Sequence, residues 1–321
     1  MALAEPRIFV SIPAYRDPDC LNTARDLFAK AAHPDRLVLG VCWQFDPEHD
    51  PPYLDVGARS GQVRQVLLPA RDSRGPCWAR SRIQQLWQGE AYYFQVDSHM
   101  RFVQGWDELL IETLYACRSP NPVLSTYPLP FTPPGDLAPD GIVEIRPRHF
   151  DDQGILHQHS ALLAMPGELH PPFPVWLVSA GMLFTFGRVI REVPYDPWLY
   201  FLGEEISLAV RLWTHGWDLF NPSRVVAYHN YNQKGGRARH WEDVNRWTEM
   251  NKRSIGRLRR LFGLVGGQTS GHPPGDALDD DLGRYGLGVQ RSLAEYEAGS
   301  GLIFGKRTWH GKDLSRGDAG K

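Results

Sequence analysis

Asp97 and His99, two residues apart in Val96-Asp97-Ser98-His99, follow an apolar run, Tyr92-Tyr93-Phe94-Gln95-Val96, that reads as a strand. In extended backbone such side chains point to the same side, so one cation can touch both. A carboxylate oxygen and an imidazole nitrogen, with water and phosphate oxygens completing the shell, suit Mn²⁺ without excluding Mg²⁺ or other divalent ions. The plainer account of the same segment is a strand-end carboxylate capping its turn beside a surface histidine, since short motifs also match by chance. His229, at the end of Val225-Val226-Ala227-Tyr228, offers a third ligand from another loop. By itself it reads as a structural histidine; with Asp97 and His99 it makes a facial site with positions open to a diphosphate.

Three further groups carry chemistry. Gly203-Glu204-Glu205 opens a helix, where carboxylates either complement the helix dipole or bind sugar hydroxyls and take an acceptor proton. Arg71, Arg74 and Arg80 flank the loop after the third strand, where a phosphate would meet a helix N-terminus, although arginines on a solvated loop are commonplace. Ala180-Gly181 lets a ligand approach the backbone closely, or allows a tight packing turn.

The elements that position these residues follow from hydrophobic period. Ile8 to Pro13 is a short buried-type strand, followed by Asp17 and Asp19 as caps and by Leu21, Ala24, Phe28 and Ala31 at helical spacing. Strands are predicted at Leu37 to Phe45 and Val63 to Leu68, then a helix through Trp78 to Trp87, the strand ending at Val96, and a helix over Trp106 to Cys117. This alternation predicts an α/β fold, a mostly parallel sheet with helices on both faces and ligands at the strand C-terminal ends. Pro120 to Pro174 reads as proline-rich connections with short extended pieces. Order returns as a strand in Trp176 to Phe186, a helix carrying Ile206, Ala209, Val210 and Trp213 and closed by Gly216, a strand over Arg224 to Tyr228 and a helix over Trp241 to Leu261. Gly263 to Gly288, with Asp279-Asp280-Asp281, reads as an exposed loop before a closing segment, Val289 to Trp309.

Thirty-five basic and 37 acidic side chains nearly cancel, which gives no electrostatic reason to expect nucleic acid or an anionic membrane as partner. No apolar run approaches the ~18 residues of a membrane span, and none reads as a signal peptide. Cys20, Cys42, Cys77 and Cys117 are scattered without metal-type spacing, as reduced core thiols of a cytoplasmic protein would be. Eleven tryptophans and 26 prolines point to long ordered loops around aromatic-lined pockets.

Four segments taken in order, Ile8 to Asp17, Arg74 to Arg80, Val96 to His99 and Phe201 to Glu205, resemble the GlcNAc-transferase family typified by the enzyme that modifies hydroxyproline on Skp1, over roughly residues 7 to 309. More distantly, they resemble the mucin-type polypeptide GalNAc-transferases. The resemblance implies a GT-A fold and a retaining transfer of a sugar, GlcNAc from UDP-GlcNAc, to a hydroxyl acceptor on a protein, peptide or small glycoside. It implies Asp97, His99 and His229 as Mn²⁺ (or Mg²⁺) ligands, Glu204 and Glu205 as the catalytic carboxylates, and Pro13, Ala14, Tyr15, Arg16, Arg74, Arg80, Asp97, Ala180 and Gly181 at the donor. The expected organisation is a catalytic domain over 1–240, a helical extension and closing segment over 241–309, and a flexible tail over 310–321. A nucleotidyltransferase, a nucleotide-sugar hydrolase and a non-catalytic glycan or nucleotide-binding module are alternatives with the same sheet and metal.

Overall fold

The computed structural model describes residues 5–138, 141–163, 171–232, 238–264 and 282–315. Along β1 (Ile8–Tyr15), Ile8, Val10, Ile12 and Ala14 enter one hydrophobic core while Phe9 enters another, so the strand is covered on both faces. After it come α1 (Cys20–Lys30), β2 (Leu37–Phe45), β3 (Val63–Pro69), α2 (Pro76–Gln84), β4 (Tyr92–Val96), β5 (Met100–Phe102) and α3 (Trp106–Ala116). α1 and α3 bury their apolar stripes in the first core, joined where Trp106 Nε1 donates to the Leu27 carbonyl at 2.9 Å. α2 packs on the opposite face through Cys77, Ala79 and Ile83.

Pro120 to Pro174, expected as connections with short extended pieces at Leu124 to Tyr127 and Ile142 to Ile145, carries β6 (Pro122–Ser125), β7 (Leu129–Thr132), β8 (Asp136–Leu137), β9 (Ile142–Phe150), β10 (Leu156–Leu163) and β11 (Phe173–Pro174). β9 and β10 form an antiparallel pair with a register shift at His157/Gln158. Proline at 147 interrupts the β9 pattern, and a pair standing apart from the main sheet needs no proline N–H there. The strand expected within Trp176 to Phe186 is β12 (Met182–Phe186), followed by α4 (Val189–Glu192), α5 (Glu204–Thr214), β13 (Asp218–Asn221) and β14 (Ala227–His229). β14 starts later than the strand expected from Arg224 and belongs to a separate sheet with β5, β7 and β8. Gly216 ends α5 at φ +86°, its N–H on the Trp213 carbonyl at 3.0 Å.

The main sheet has the order β11-β13-β6-β12-β4-β1-β2-β3. β4, β1, β2 and β3 are mutually parallel, as are β6 and β13; β12 runs antiparallel to both of its neighbours. Beyond it, the helix expected over Trp241 to Leu261 is two pieces, α6 (His240–Asp243) and α7 (Trp247–Leu261), before α8 (Leu293–Ser300) and the short strands β15 (Leu302–Ile303), β16 (Thr308–Trp309) and β17 (Lys312–Asp313). Expected as part of a frayed tail, β17 pairs with β16, and Leu314 is buried with its N–H on the Arg307 carbonyl at 2.9 Å. Asp279, Asp280 and Asp281 lie outside the described residues. Among the described residues no helix is long and apolar enough to cross a membrane.

Candidate functional site

Strand register assembles the site. β4 lies between parallel β1, with Ser11 opposite Gln95, and antiparallel β12, with Met182 opposite Val96. The first residue past β4, Asp97, is therefore flanked by the end of β1 and by Gly181. β14 pairs with β5 so that His229 faces Met100, which sets it beside His99. One ligand atom each from Asp97, His99 and His229 lies within 4.8 Å of the others. The two imidazoles meet edge to face, ring centres 4.5 Å apart, and His229 Nε2 is 3.2 Å from Asp97 Oδ2.

Two of the three candidate ligands, Asp97 and His99, are held from behind. Asp97 Oδ1 accepts from Arg80 Nη2 at 2.8 Å, while Arg80 Nε donates to Glu204 Oε1 at 3.0 Å. Burial pushes the Asp97 carboxyl up, but His229 and the Arg80 charge overcome this and hold it well below the usual range. Asp17 Oδ2 contacts His99 Nδ1 at 2.6 Å and accepts from Ser98 Oγ at 2.6 Å. Its own carboxyl is lowered by these bonds against the cost of burial. A carboxylate on one imidazole nitrogen fixes the ring and leaves Nε2 for a metal. Gly181 completes the cradle, because a β-carbon there would stand 2.8 Å from Asp97 Oδ2. One carboxylate and two carboxylate-oriented or buried imidazoles fit Mn²⁺ better than Mg²⁺, which prefers oxygen.

Two clefts meet at this cluster. One, of about 320 Å³, is bordered by Pro13, Tyr15, Ser73, Tyr200, His240 and Trp241; the other, of about 340 Å³, by Tyr127, Gln158, Ala180, Gly181, Glu204 and Glu205. Asp97 and His229 border both. Glu205 accepts from the Ala180 N–H at 2.9 Å, the Tyr127 hydroxyl at 2.5 Å and Gln158 Nε2 at 2.9 Å. Burial, aided by the Glu204 charge, pushes its carboxyl up to about 7 against those three bonds. Burial also raises Glu204, opposed by Arg80.

Residues 7–60 and 55–305 match the model of the family described as Glycosyltransferase (GlcNAc). The chain belongs to this family. Its fold is similar to that of GalNAc-T7, whose crystal structure holds UDP, GalNAc and Mn²⁺, with a TM-score of 0.56 at 16% identity over 80% of this chain and 51% of that one. The chain thus spans about half the length of GalNAc-T7, 51% of it, and the shared architecture is the GT-A glycosyltransferase fold. A lower likeness, TM-score 0.47 at 13% identity over 78% of this chain and 65% of the other, is to S. aureus TarS 1-349 in complex with UDP-GlcNAc. No curated protein matches the chain.

In this family member, Pro13 and Tyr15 border the first cleft, whereas Ala14 is fully buried. Arg16, at φ 47°, is tied to Asp46 at 3.3 Å, Asp50 at 3.3 Å and Asp243 at 2.9 Å, so its charge is already answered by carboxylates. Arg74 borders neither cleft; its guanidinium lies 6.0 Å from the Trp78 ring, over a separate depression. Arg80, Asp97, Glu204, Ala180 and Gly181 are brought together, with Arg80 as the bridge. Asp17 reads in the sequence as a helix cap, and its hold on His99 emerges only in the fold. So do the places of Tyr127, Gln158 and Tyr231, the last with its ring centre 4.1 Å from that of His229. The position of Asp17 just past a strand parallel to β4 was the available signal for the first; Tyr127 ends a short extended piece, and Gln158 and Tyr231 lie where alternation is lacking, so nothing local shows which element they meet.

Proposed function

We propose that this family member is a retaining, divalent-metal-dependent glycosyltransferase that moves GlcNAc from UDP-GlcNAc to a hydroxyl on a protein, peptide or small glycoside. The observation that carries the reading is the Asp97–His99–His229 cluster, ligand atoms within 4.8 Å, at the border common to the two clefts. Asp97, His99 and His229 would hold Mn²⁺ or Mg²⁺, which when bound neutralises charge on the donor diphosphate. Pro13 and Tyr15 border the nucleoside, and Ala180-Gly181 walls the sugar.

Both helix-start carboxylates act by position. Glu204 holds Arg80, and Glu205 holds the Ala180 N–H, so neither stands free as a nucleophile. This supports attack on the same face that the diphosphate leaves: the acceptor oxygen bonds to the anomeric carbon, the carbon–oxygen bond to UDP breaks, and the acceptor proton passes to the departing phosphate. Four buried free cysteines support a reducing, cytoplasmic setting.

The test is incubation with Mn²⁺ and a panel of nucleotide sugars, with and without hydroxyl acceptors, read by mass spectrometry. UDP-GlcNAc should be consumed with release of UDP and transfer to an acceptor at retained configuration. Consumption with release of free sugar alone would favour a hydrolase, and no donor bound or consumed would overturn the reading.

A further inference from the structure

α2 carries two kinds of surface. Cys77, Ala79, Arg80 and Ile83 turn inward, whereas Trp78 and Arg82 lie four residues apart on the outward side, and Arg74, in the loop before the helix, reaches the Trp78 ring. With Trp198, Arg284 and Tyr285, that outward side encloses a separate cleft of about 280 Å³, which shares no bordering residue with the two clefts at the metal ligands. Tyr195 forms the partition: it borders this cleft, and its ring lies 5.9 Å from the Arg80 guanidinium.

The chemistry of this cleft is one-sided. Arg74, Arg82 and Arg284 are exposed, and among the described residues none of them has a carboxylate partner. Among the described residues no acidic side chain borders the cleft. Trp198 is 39% exposed, so part of its indole faces the cleft. Tyr285 has the Arg257 and Arg284 guanidiniums each 5.7 Å, and that of Arg211 6.0 Å, from its ring centre, so its ring holds arginines in place and leaves the Trp198 indole as the open aromatic face. A flat indole face takes the apolar C–H face of a sugar ring, and guanidiniums take carboxylate or phosphate through paired hydrogen bonds.

We infer that this cleft is a second carbohydrate-binding site, for sugars that carry a carboxylate or a phosphate. Arginine beside aromatic rings also binds single-stranded nucleic acid, but that needs a basic groove following several phosphates. This chain has a net charge of -2 and a cleft of about 280 Å³, which holds roughly one or two rings.

The experiment is isothermal titration of the full chain, without nucleotide, against an oligogalacturonate, a phosphorylated oligomannoside, maltohexaose and a dodecathymidylate. At least one acidic saccharide should bind about tenfold more tightly than maltohexaose, and W198A and R284Q should each weaken that binding about tenfold or more. Binding confined to the carboxylate or the phosphate arm supports the inference and identifies the acid. Both variants should melt like the parent; if R284Q does not, R82Q takes its place. The inference is overturned by equal binding of maltohexaose, by tighter binding of the dodecathymidylate, by no acidic saccharide binding, or by affinities unchanged in the variants. Because no donor or metal is present, the outcome is independent of the transferase reading.

Discussion

Asp17 Oδ2 sits 2.6 Å from His99 Nδ1, an orienting bond from just past the end of β1 to a candidate metal-ligand position past the end of β4. If that bond fixes the ring, D17N should lower Mn²⁺ affinity by roughly 10- to 100-fold while the fold persists. Titration of Mn²⁺ followed by electron paramagnetic resonance measures it, and an unchanged affinity would separate Asp17 from the site.

Arg80 is 2% exposed and serves two carboxylates, Asp97 and Glu204. R80Q leaves both short of a cation, and the expected cost is about 3 kcal/mol of stability, since removing one partner of a buried pair strands the other. Denaturant unfolding tests this. A loss below about 1 kcal/mol would mean that water or local rearrangement answers the two charges.

Gly181 faces a carboxylate that cannot retreat, because Asp97 is held on one oxygen by Arg80 and on the other by His229. G181A should therefore displace Asp97 and reduce metal-dependent donor binding by about 100-fold, the cost typical of misplacing a site group by about an ångström. Calorimetric titration of UDP with and without Mn²⁺ measures it, and the metal-independent part should be unchanged.

Glu205 titrates at about 7 in the folded chain against an ordinary 4.5. The folded state thus holds a proton that the unfolded chain has released, so this group makes no difference below pH 4.5, lowers stability as pH rises from 4.5 to 7, and leaves its full penalty above 7. The penalty is on the order of 3 kcal/mol. E205Q should flatten that part of the stability profile and be more stable than the parent at pH 8, read by thermal melts across pH. A profile with the same slope in E205Q would assign the pH dependence to other groups.

Much of the first half of the fold was legible because its elements are regular. The alternation of Ile8, Val10 and Ile12 with Phe9, and the Trp106, Leu110, Thr113, Leu114 stripe, each report one buried face or two directly. Of the β9–β10 pair only Ile142 to Ile145 was legible, because Pro147 and the register shift at His157/Gln158 break the period by which the rest would be recognised. The direction of β12 was equally hidden, since antiparallel and parallel strands buried on both faces have the same composition. α6 and α7 were read as one helix because apolar spacing continues across Val244, whose extended backbone breaks the hydrogen-bond ladder.

The sequence by itself determined that Asp97 and His99 follow a strand end two residues apart; the chain bends at Ser98 and His99, so it is that bend, and not a period of two, that sets them side by side. It also placed two carboxylates in the first turn of α5, where the helix dipole favours them. Only the tertiary structure decided that His229, 132 residues from Asp97, completes the cluster, through the β14–β5 register. Only it decided that Arg80 spends its charge on Asp97 and Glu204 while Arg74 turns to the opposite side of α2. The reason is physical: residue spacing sets which way a side chain leaves its own element, whereas the partner it meets is set by which elements bury their apolar faces together.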